Sequence, residues 1–376
     1  MACDLIGLLK FAKEQGASDL HLSAGMPPIL RVHGEMVRVK MDALTAEDTL
    51  AAVRSVMTDG QRKAFEQSMD IDFAIDVPEV ARFRANAFQQ HRGTGGVFRV
   101  IPNTVTPLEQ LGMPKIIKEL AQREKGLVLV TGPTGSGKST TLAAMVDYIN
   151  ETESLHILTI EDPIEFLHSS KRSLVNQREI GPHTHAFANA LRAALREDPD
   201  VILVGELRDL ETTQLAISAA ETGHLVFGTL HTNSAAKTID RVVDIFPSEQ
   251  QQQIRTMLSE SIEGIITQTL LPSKDGKGRV AALEVLVGVP ALRNLIRENK
   301  TAQIMSVIQT GAQHGMQSLD QSLRELVMQG KLSREEAMKK SPNPAQFNEP
   351  GAGAGVGVAP RPGAGAPARP GIPTGR

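Results

Sequence analysis

The stretch Gly132-Pro133-Thr134-Gly135-Ser136-Gly137-Lys138-Ser139 follows directly on the apolar run Leu127-Val128-Leu129-Val130, and it constrains the fold more than any other part of the chain. Its pattern, G-x-x-x-x-G-K-S between an expected strand and an expected helix, is that of a phosphate-binding loop. Glycines let such a backbone curl until successive N–H groups converge on an anion. A helix beginning near Ser139 adds the positive end of its dipole to the same point. Lys138 supplies a mobile charge for the β and γ oxygens of a nucleoside triphosphate, and the Ser139 hydroxyl is the expected ligand for Mg2+. The expected nucleotide contacts are therefore Gly132, Pro133, Thr134, Gly135, Ser136, Gly137, Lys138, Ser139 and Thr140.

A loop of this kind needs an α/β sheet to carry it, and the downstream pattern agrees. Strands are expected at 127–131, 157–160, 201–204 and 225–229 with helices between them, which points to a parallel sheet covered on both faces. Helical patterning dominates later, over 252–270 and 290–309. The first hundred residues differ. An amphipathic helix with Leu5, Leu8, Leu9 and Ala12 on one face precedes short alternating segments around Leu20, Ile29 and Met36. Thr45 with Asp48 opens a second helix, and a hairpin over 82–101 is expected to turn through Gly93-Thr94-Gly95-Gly96. The division is thus an α+β domain at 1–102, a Pro-marked linker at 103–114 and an ATPase domain with C-terminal helices at 115–340. From 341 to 376 the chain becomes Gly, Pro and Ala, with Arg361, Arg369 and Arg376 making it mildly basic. That composition buries too little apolar surface to fold and reads as a disordered tail.

Composition excludes several classes. A net charge of -3 and an aromatic content of 3% without Trp argue against a nucleic-acid binder. Cys3 stands alone, so neither a disulfide framework nor a cysteine-based zinc site is expected. The start lacks the basic and apolar regions of a signal peptide, and no run is long enough to span a bilayer, so a cytoplasmic protein without a transmembrane segment is expected.

In open α/β sheets, ligands bind outside the carboxyl ends of the strands, which singles out three strand ends. Glu161-Asp162, with Glu165 nearby, offers carboxylates for Mg2+-bound water or for orienting the attacking water. Gly205-Glu206 follows the strand at 201–204, and the glycine leaves Glu206 without an acidic neighbour at the preceding position, which suits water polarisation. Arg208 and Asp209 are positioned for a local ion pair. Glu206 is the first choice for activating water, and exchanging its role with Glu161 fits nearly as well. His224 and His231 flank the next strand and suggest γ-phosphate sensing or subunit coupling. The first domain adds Arg82, Arg84, Arg92 and Arg99, candidate arginine fingers among which the sequence does not choose.

Together these motifs resemble the secretion ATPase superfamily, and within it the retraction motors of type IV pili. The resemblance covers residues 1 to about 340. Its carriers are Ala17-Ser18-Asp19-Leu20-His21-Leu22-Ser23, Pro27-Pro28, the phosphate loop, and Thr159-Ile160-Glu161-Asp162-Pro163-Ile164-Glu165-Phe166 as an Asp box. Asp198-Pro199-Asp200 leading to Gly205-Glu206-Leu207-Arg208-Asp209 resembles the Walker B region, and Thr222-Gly223-His224 through His231-Thr232 the His box. Ala291-Leu292-Arg293-Asn294-Leu295-Ile296-Arg297-Glu298 is similar to a retraction signature, departing at Leu292, and a single cysteine cannot form the tetracysteine zinc module of extension and type II secretion ATPases.

The resemblance implies a PAS-like first domain, a RecA-like second domain and a homohexameric ring with ATP between subunits. It also implies that arginines such as Arg82 and Arg99 complete a neighbour's site. The partners it implies are an inner-membrane pilus platform protein, met at the cytoplasmic face of that membrane, and a paralogous accessory ATPase. The implied function is a motor that powers pilus retraction and twitching motility through domain rotation, with Arg293 and Arg297 coupling the ring to its partner. An accessory retraction or type II secretion-like ATPase, a nucleotide switch of negligible turnover and a nucleic-acid translocase are the competing expectations.

Overall fold

The computed structural model describes residues 3–347 apart from positions 33, 103 and 277. The first domain comprises α1 (Leu5–Glu14), β1 (Asp19–Ser23), β2 (Ile29–Val32), β3 (Glu35–Arg38), α2 (Ala46–Ser55), α3 (Asp59–Ser68), β4 (Asp70–Val77), β5 (Ala81–Gln90) and β6 (Gly93–Ile101). Its six strands form an antiparallel sheet in the order β3-β2-β1-β6-β5-β4. Asp4 caps α1, whose expected apolar face buries Leu5, Leu8, Leu9 and Ala12 against Leu20, Phe83 and Phe98 of the sheet. Thr45 and Asp48 form a reciprocal capping box on α2, as the sequence predicts.

The hairpin turn lies at His91 and Arg92 rather than in the glycine run, which is already inside β6. Packing explains those glycines: a Cβ on Gly95 would sit 2.7 Å from the Phe88 ring, and one on Gly96 3.0 Å from Phe98.

The second domain contains α4 (Lys115–Ala121), β7 (Gly126–Thr131), α5 (Lys138–Thr152), β8 (His156–Glu161), β9 (Leu174–Glu179), α6 (Phe187–Ala194), β10 (Val201–Val204), α7 (Leu210–Glu221) and β11 (Leu225–Leu230). It continues through α8 (Ala235–Asp244), α9 (Ser248–Ser261), β12 (Ile262–Pro272), β13 (Arg279–Val287), α10 (Pro290–Arg297), α11 (Ile304–Thr310), α12 (Leu319–Met328) and α13 (Arg334–Lys340). The sheet runs β13-β12-β7-β11-β10-β8-β9, parallel throughout except for β13, which returns antiparallel to β12. All four expected strands are present.

Three sequence expectations change here. The helix expected over 252–270 stops at Ser261, and the chain continues as β12 beside β7. A strand buried on both faces reads as a continuous apolar run, and periodicity alone does not separate it from a buried helix. Gly264 lets it approach α4, since a Cβ there would lie 2.7 Å from Leu120 Cδ1. The helix expected over 290–309 is divided into α10 and α11 at Asn299, whose φ of 57° stops the first helix in the left-handed region.

The disordered tail expected from 341 does not hold for 341–347. Ser341 donates to Asp320 at 2.5 Å, and Phe347, 5% exposed, packs with Leu271, Leu323, Leu332 and Ala337. Residues 348–376, to which the rest of the disordered-tail expectation applies, lie outside the described residues. Among the described residues no helix is long and apolar enough to cross a membrane.

Candidate active site

Strand β7 is buried along its whole length and delivers the loop of 132–139 at the carboxyl edge of the sheet. Gly132 and Gly137 adopt φ of 140° and 87°, and both lie against β12. A Cβ on Gly132 would fall 2.3 Å from the Gln268 carbonyl oxygen, and one on Gly137 2.7 Å from Gln268 Nε2. The buried Gln268 amide donates to the Ser136 carbonyl at 2.7 Å and accepts from Thr141 Oγ1 at 2.7 Å, clamping the loop to the first turn of α5. Sequence reading missed Gln268 because the residue falls in the segment read as helix.

Lys138 Nζ donates to the Gly132 and Pro133 carbonyls at 3.0 and 3.2 Å, which holds the ammonium over its own loop. Burial pushes its pKa down, and the Glu206 carboxylate opposes that shift. Ser136 Oγ is buried without a hydrogen-bond partner, and the first N–H groups of α5 have no acceptor within the helix. A lysine lining the cavity beside helix-start amides that lack acceptors fits the phosphates of a nucleotide.

A cavity of about 710 Å³ opens in front of the loop. Lys138, Ser139 and Thr140 line it, as do Glu161, Asp162, Glu165, Glu206 and His231, so most of the expected site is brought together. Parallel pairing of β8 with β10 sets Val204 beside Ile160, which makes Glu161 and Glu206 neighbours at adjacent strand ends.

Their environments diverge. Glu161 accepts from Thr159 Oγ1 at 2.7 Å, Gln177 Nε2 at 3.2 Å and the Glu165 N–H at 3.4 Å, but its burial prevails and pushes the carboxyl pKa up. Burial acts in the same sense on Glu206. There it is outweighed by the hydrogen bond from Arg208 and the nearby imidazole of His231, so the pKa falls. The contacts are 2.6 Å to Arg208 Nε and 3.2 Å to His231 Nε2. Two adjacent carboxyls pushed in opposite directions are the arrangement that separates acid, base and anchoring roles. Arg208 therefore pairs with Glu206 rather than with Asp209, which caps α7 by accepting from Thr212 N.

His224 stands apart from this cluster. It precedes the first residue of β11, with its Nδ1 against the Ala219 carbonyl at 3.0 Å, while His231 follows the last. Six strand residues at about 3.3 Å each put the two histidines at opposite edges of the sheet; both flank the strand, and of the two it is His231 that lines the cavity.

The arginines divide as well. Arg84 and Arg99 line the cavity, and Arg99 Nε donates to Asp19 at 2.8 Å with the side chain still 63% exposed. Arg82 is instead paired with Glu179 at 2.9 Å, and Arg92 lies at the hairpin turn. Arg279, at the start of β13, lines the cavity without having been foreseen; no local pattern marks it. Together with Gly137, Thr140 and Leu270 it also lines a second cavity of about 530 Å³ that reaches linker residues Gln110 to Pro114.

The sequence profile described as type II/IV secretion system protein matches residues 5–339. The chain is 59% identical to the type IV pilus retraction ATPase PilT of Pseudomonas aeruginosa over 344 residues, covering 92% of this chain and 100% of that protein. It is 56% identical to the twitching motility protein of Neisseria gonorrhoeae over 343 residues, covering 91% of this chain and 92% of that one. The crystal structure of the pilus retraction motor PilT with bound ADP superposes with a TM-score of 0.86 at 52% identity, over 92% of this chain and 98% of that one. With a family profile spanning residues 5–339 and relatives matched over more than nine-tenths of its length, the chain belongs to the type II/IV secretion system protein family.

Proposed function

We propose that this chain is an ATP-hydrolysing motor that powers type IV pilus retraction, and with it twitching motility. The observation that carries the reading is the cavity in front of the phosphate loop, with Lys138 on one wall and the oppositely biased Glu161 and Glu206 on another. It is supported by 59% identity to a retraction ATPase over nearly the whole chain, against 41% to the type IV pilus ATPase PilU of Pseudomonas aeruginosa. The higher identity favours the principal motor over an accessory one.

The triphosphate lies along residues 132–140, with the base and ribose directed toward the second cavity beside the linker. Ser139 and the carboxylates of Asp162 and Glu206 would hold Mg2+, which would supply charge neutralisation on the phosphates. Glu206, kept ionised by Arg208 and His231, orients and polarises the attacking water. Glu161 anchors the segment that carries Asp162 and Glu165. Arg99 and Arg84 supply positive charge at the mouth, in a ring of six where a neighbour's cavity is the alternative target. Such a ring works at the cytoplasmic face of the inner membrane against a platform protein, with a paralogous ATPase as a further partner.

Cells carrying Lys138→Ala are expected to be non-motile and densely piliated, because extension continues while retraction fails. Piliation by electron microscopy and twitching on agar check this. Bald cells would indicate an extension motor, and unchanged motility would overturn the assignment to retraction.

A further inference from the structure

Arg82 and Glu179 are joined across 97 residues, one on β5 of the first domain and the other at the end of β9 in the ATPase domain. Glu179 is 4% exposed and the Arg82 side chain 11%, so the pair is nearly withdrawn from water. A charge-assisted contact so placed is strong and directional, and removing one partner leaves the other charge buried alone. Asp76, mostly exposed at 3.8 Å from Arg82 Nε, is a weaker second partner in the first domain.

The oxygen of Glu179 that accepts from Arg82 at 2.9 Å also takes the backbone N–H of Ile164 at 3.3 Å. Ile164 lies in the segment 162–165, whose Asp162 and Glu165 face the nucleotide cavity. The end of β9 is tied to the same place from a second side, since Ile180 N donates to the Glu161 carbonyl at 2.9 Å. One carboxylate therefore connects the first domain directly to the backbone that presents the cavity's acidic residues.

We propose that Arg82 and Glu179 are positioning residues, forming a latch within one subunit that holds segment 162–165 in place only while the first domain is seated on its own ATPase domain. Rotation of the first domain then reaches the carboxylates through Glu179 and changes the rate of hydrolysis, beside any effect of moving Arg84 and Arg99 at the cavity wall. The inference rests on reading the cavity as the site of hydrolysis. It assigns Arg82 a role in its own subunit, in place of the insertion into a neighbour's site expected from the sequence.

The test uses the full chain, with steady-state ATP hydrolysis, binding of a fluorescent ATP analogue and melting curves for Arg82→Gln, Glu179→Gln, the exchange Arg82→Glu with Glu179→Arg, and Glu206→Gln. Each glutamine variant is expected to lower kcat about tenfold while analogue affinity stays within about twofold, and the charge exchange to recover most of the loss. Mixed assemblies of Arg82→Gln with Lys138→Ala subunits should show no more hydrolysis than the residual rate of their Arg82→Gln subunits, a comparison that does not depend on the exchanged pair folding.

Parental kcat in the glutamine variants would overturn the latch, as would an exchanged pair that melts normally yet gains nothing. Recovery of hydrolysis in the mixed assemblies would move Arg82 into the neighbour's site and also overturn it. An inactive Glu206→Gln beside a fully active Arg82→Gln removes the latch alone, whereas an active Glu206→Gln removes the reading of the site itself.

Discussion

Glu206 and Glu161 occupy equivalent places at neighbouring strand ends, yet their surroundings push their pKa values in opposite directions. Arg208 and His231 favour the carboxylate of Glu206, whereas Glu161 is surrounded by neutral donors in a buried pocket. A carboxyl held below its unfolded value contributes stability above that value and loses the contribution as pH falls through the folded one. Replacing Arg208 with Ala removes the strongest group holding Glu206 down, so its pKa rises. The acid limb of the pH–rate profile should then move to higher pH, while activity well above neutrality changes less. Steady-state rates from below pH 4.5, where the parental limb lies, up to neutrality check this, and an unmoved acid limb would show that Glu206 does not set it. The sequence singled out Glu206 and Glu161 from their strand ends, but not the sense of either shift, because Arg208, His231, Thr159 and Gln177 acquire their orientations only on folding.

Helix α10 shows how an element can carry a recognisable motif and still serve a local purpose. Its Leu292 and Ile296 are fully buried, which accounts for the tolerance of Leu at a position where the retraction signature has Ile. Arg293 turns inward, donating to the Ser259, Glu260 and Gly288 carbonyls and to Glu263 Oε1 at 2.7 Å. It thereby ties the last turn of α9 and the start of β12 to α10, matching its positive charge to a helix C-terminus. Beside the coupling that the resemblance implies for Arg293, these contacts give it a structural role. Arg293→Ala should destabilise the chain by about 1–3 kcal/mol by leaving these acceptors unmatched, seen as an earlier thermal unfolding transition. An unchanged transition with lost motility would leave only the coupling role. Strand β12 is the counterpart: read as helix, it is the strand whose Gln268 clamps the phosphate loop.

At the scale of the molecule, the chain closes on itself at both ends of the ATPase domain. Phe347 fills a small cluster with Leu271 of β12, Leu323 of α12 and Leu332, so the folded unit extends past the change in composition at 341. Phe347→Ala should cost about 3–5 kcal/mol, as for truncating a buried aromatic ring. Thermal or denaturant unfolding measures it, and a loss below about 1 kcal/mol would show that the cluster does not hold the terminus. At the other end, the first domain meets the ATPase domain through Arg82 and Glu179 and through the cavity wall formed by Arg84 and Arg99.

The phosphate loop, the four central strands, the helix caps and the carboxylates at strand ends were legible in the sequence because each depends on a few neighbouring residues. Glycine at a left-handed turn, a side chain capping its own helix and an apolar run before a loop are local requirements that sterics and solvation impose wherever the segment goes. The clamp by Gln268, the opposed pKa shifts of Glu206 and Glu161, the separation of His231 from His224 and the pairing of Arg82 with Glu179 were decided by the tertiary structure. Those contacts join residues as much as 132 positions apart. Their existence depends on sheet order and strand direction, which set which side chains share a buried, low-dielectric space and which stand at opposite edges.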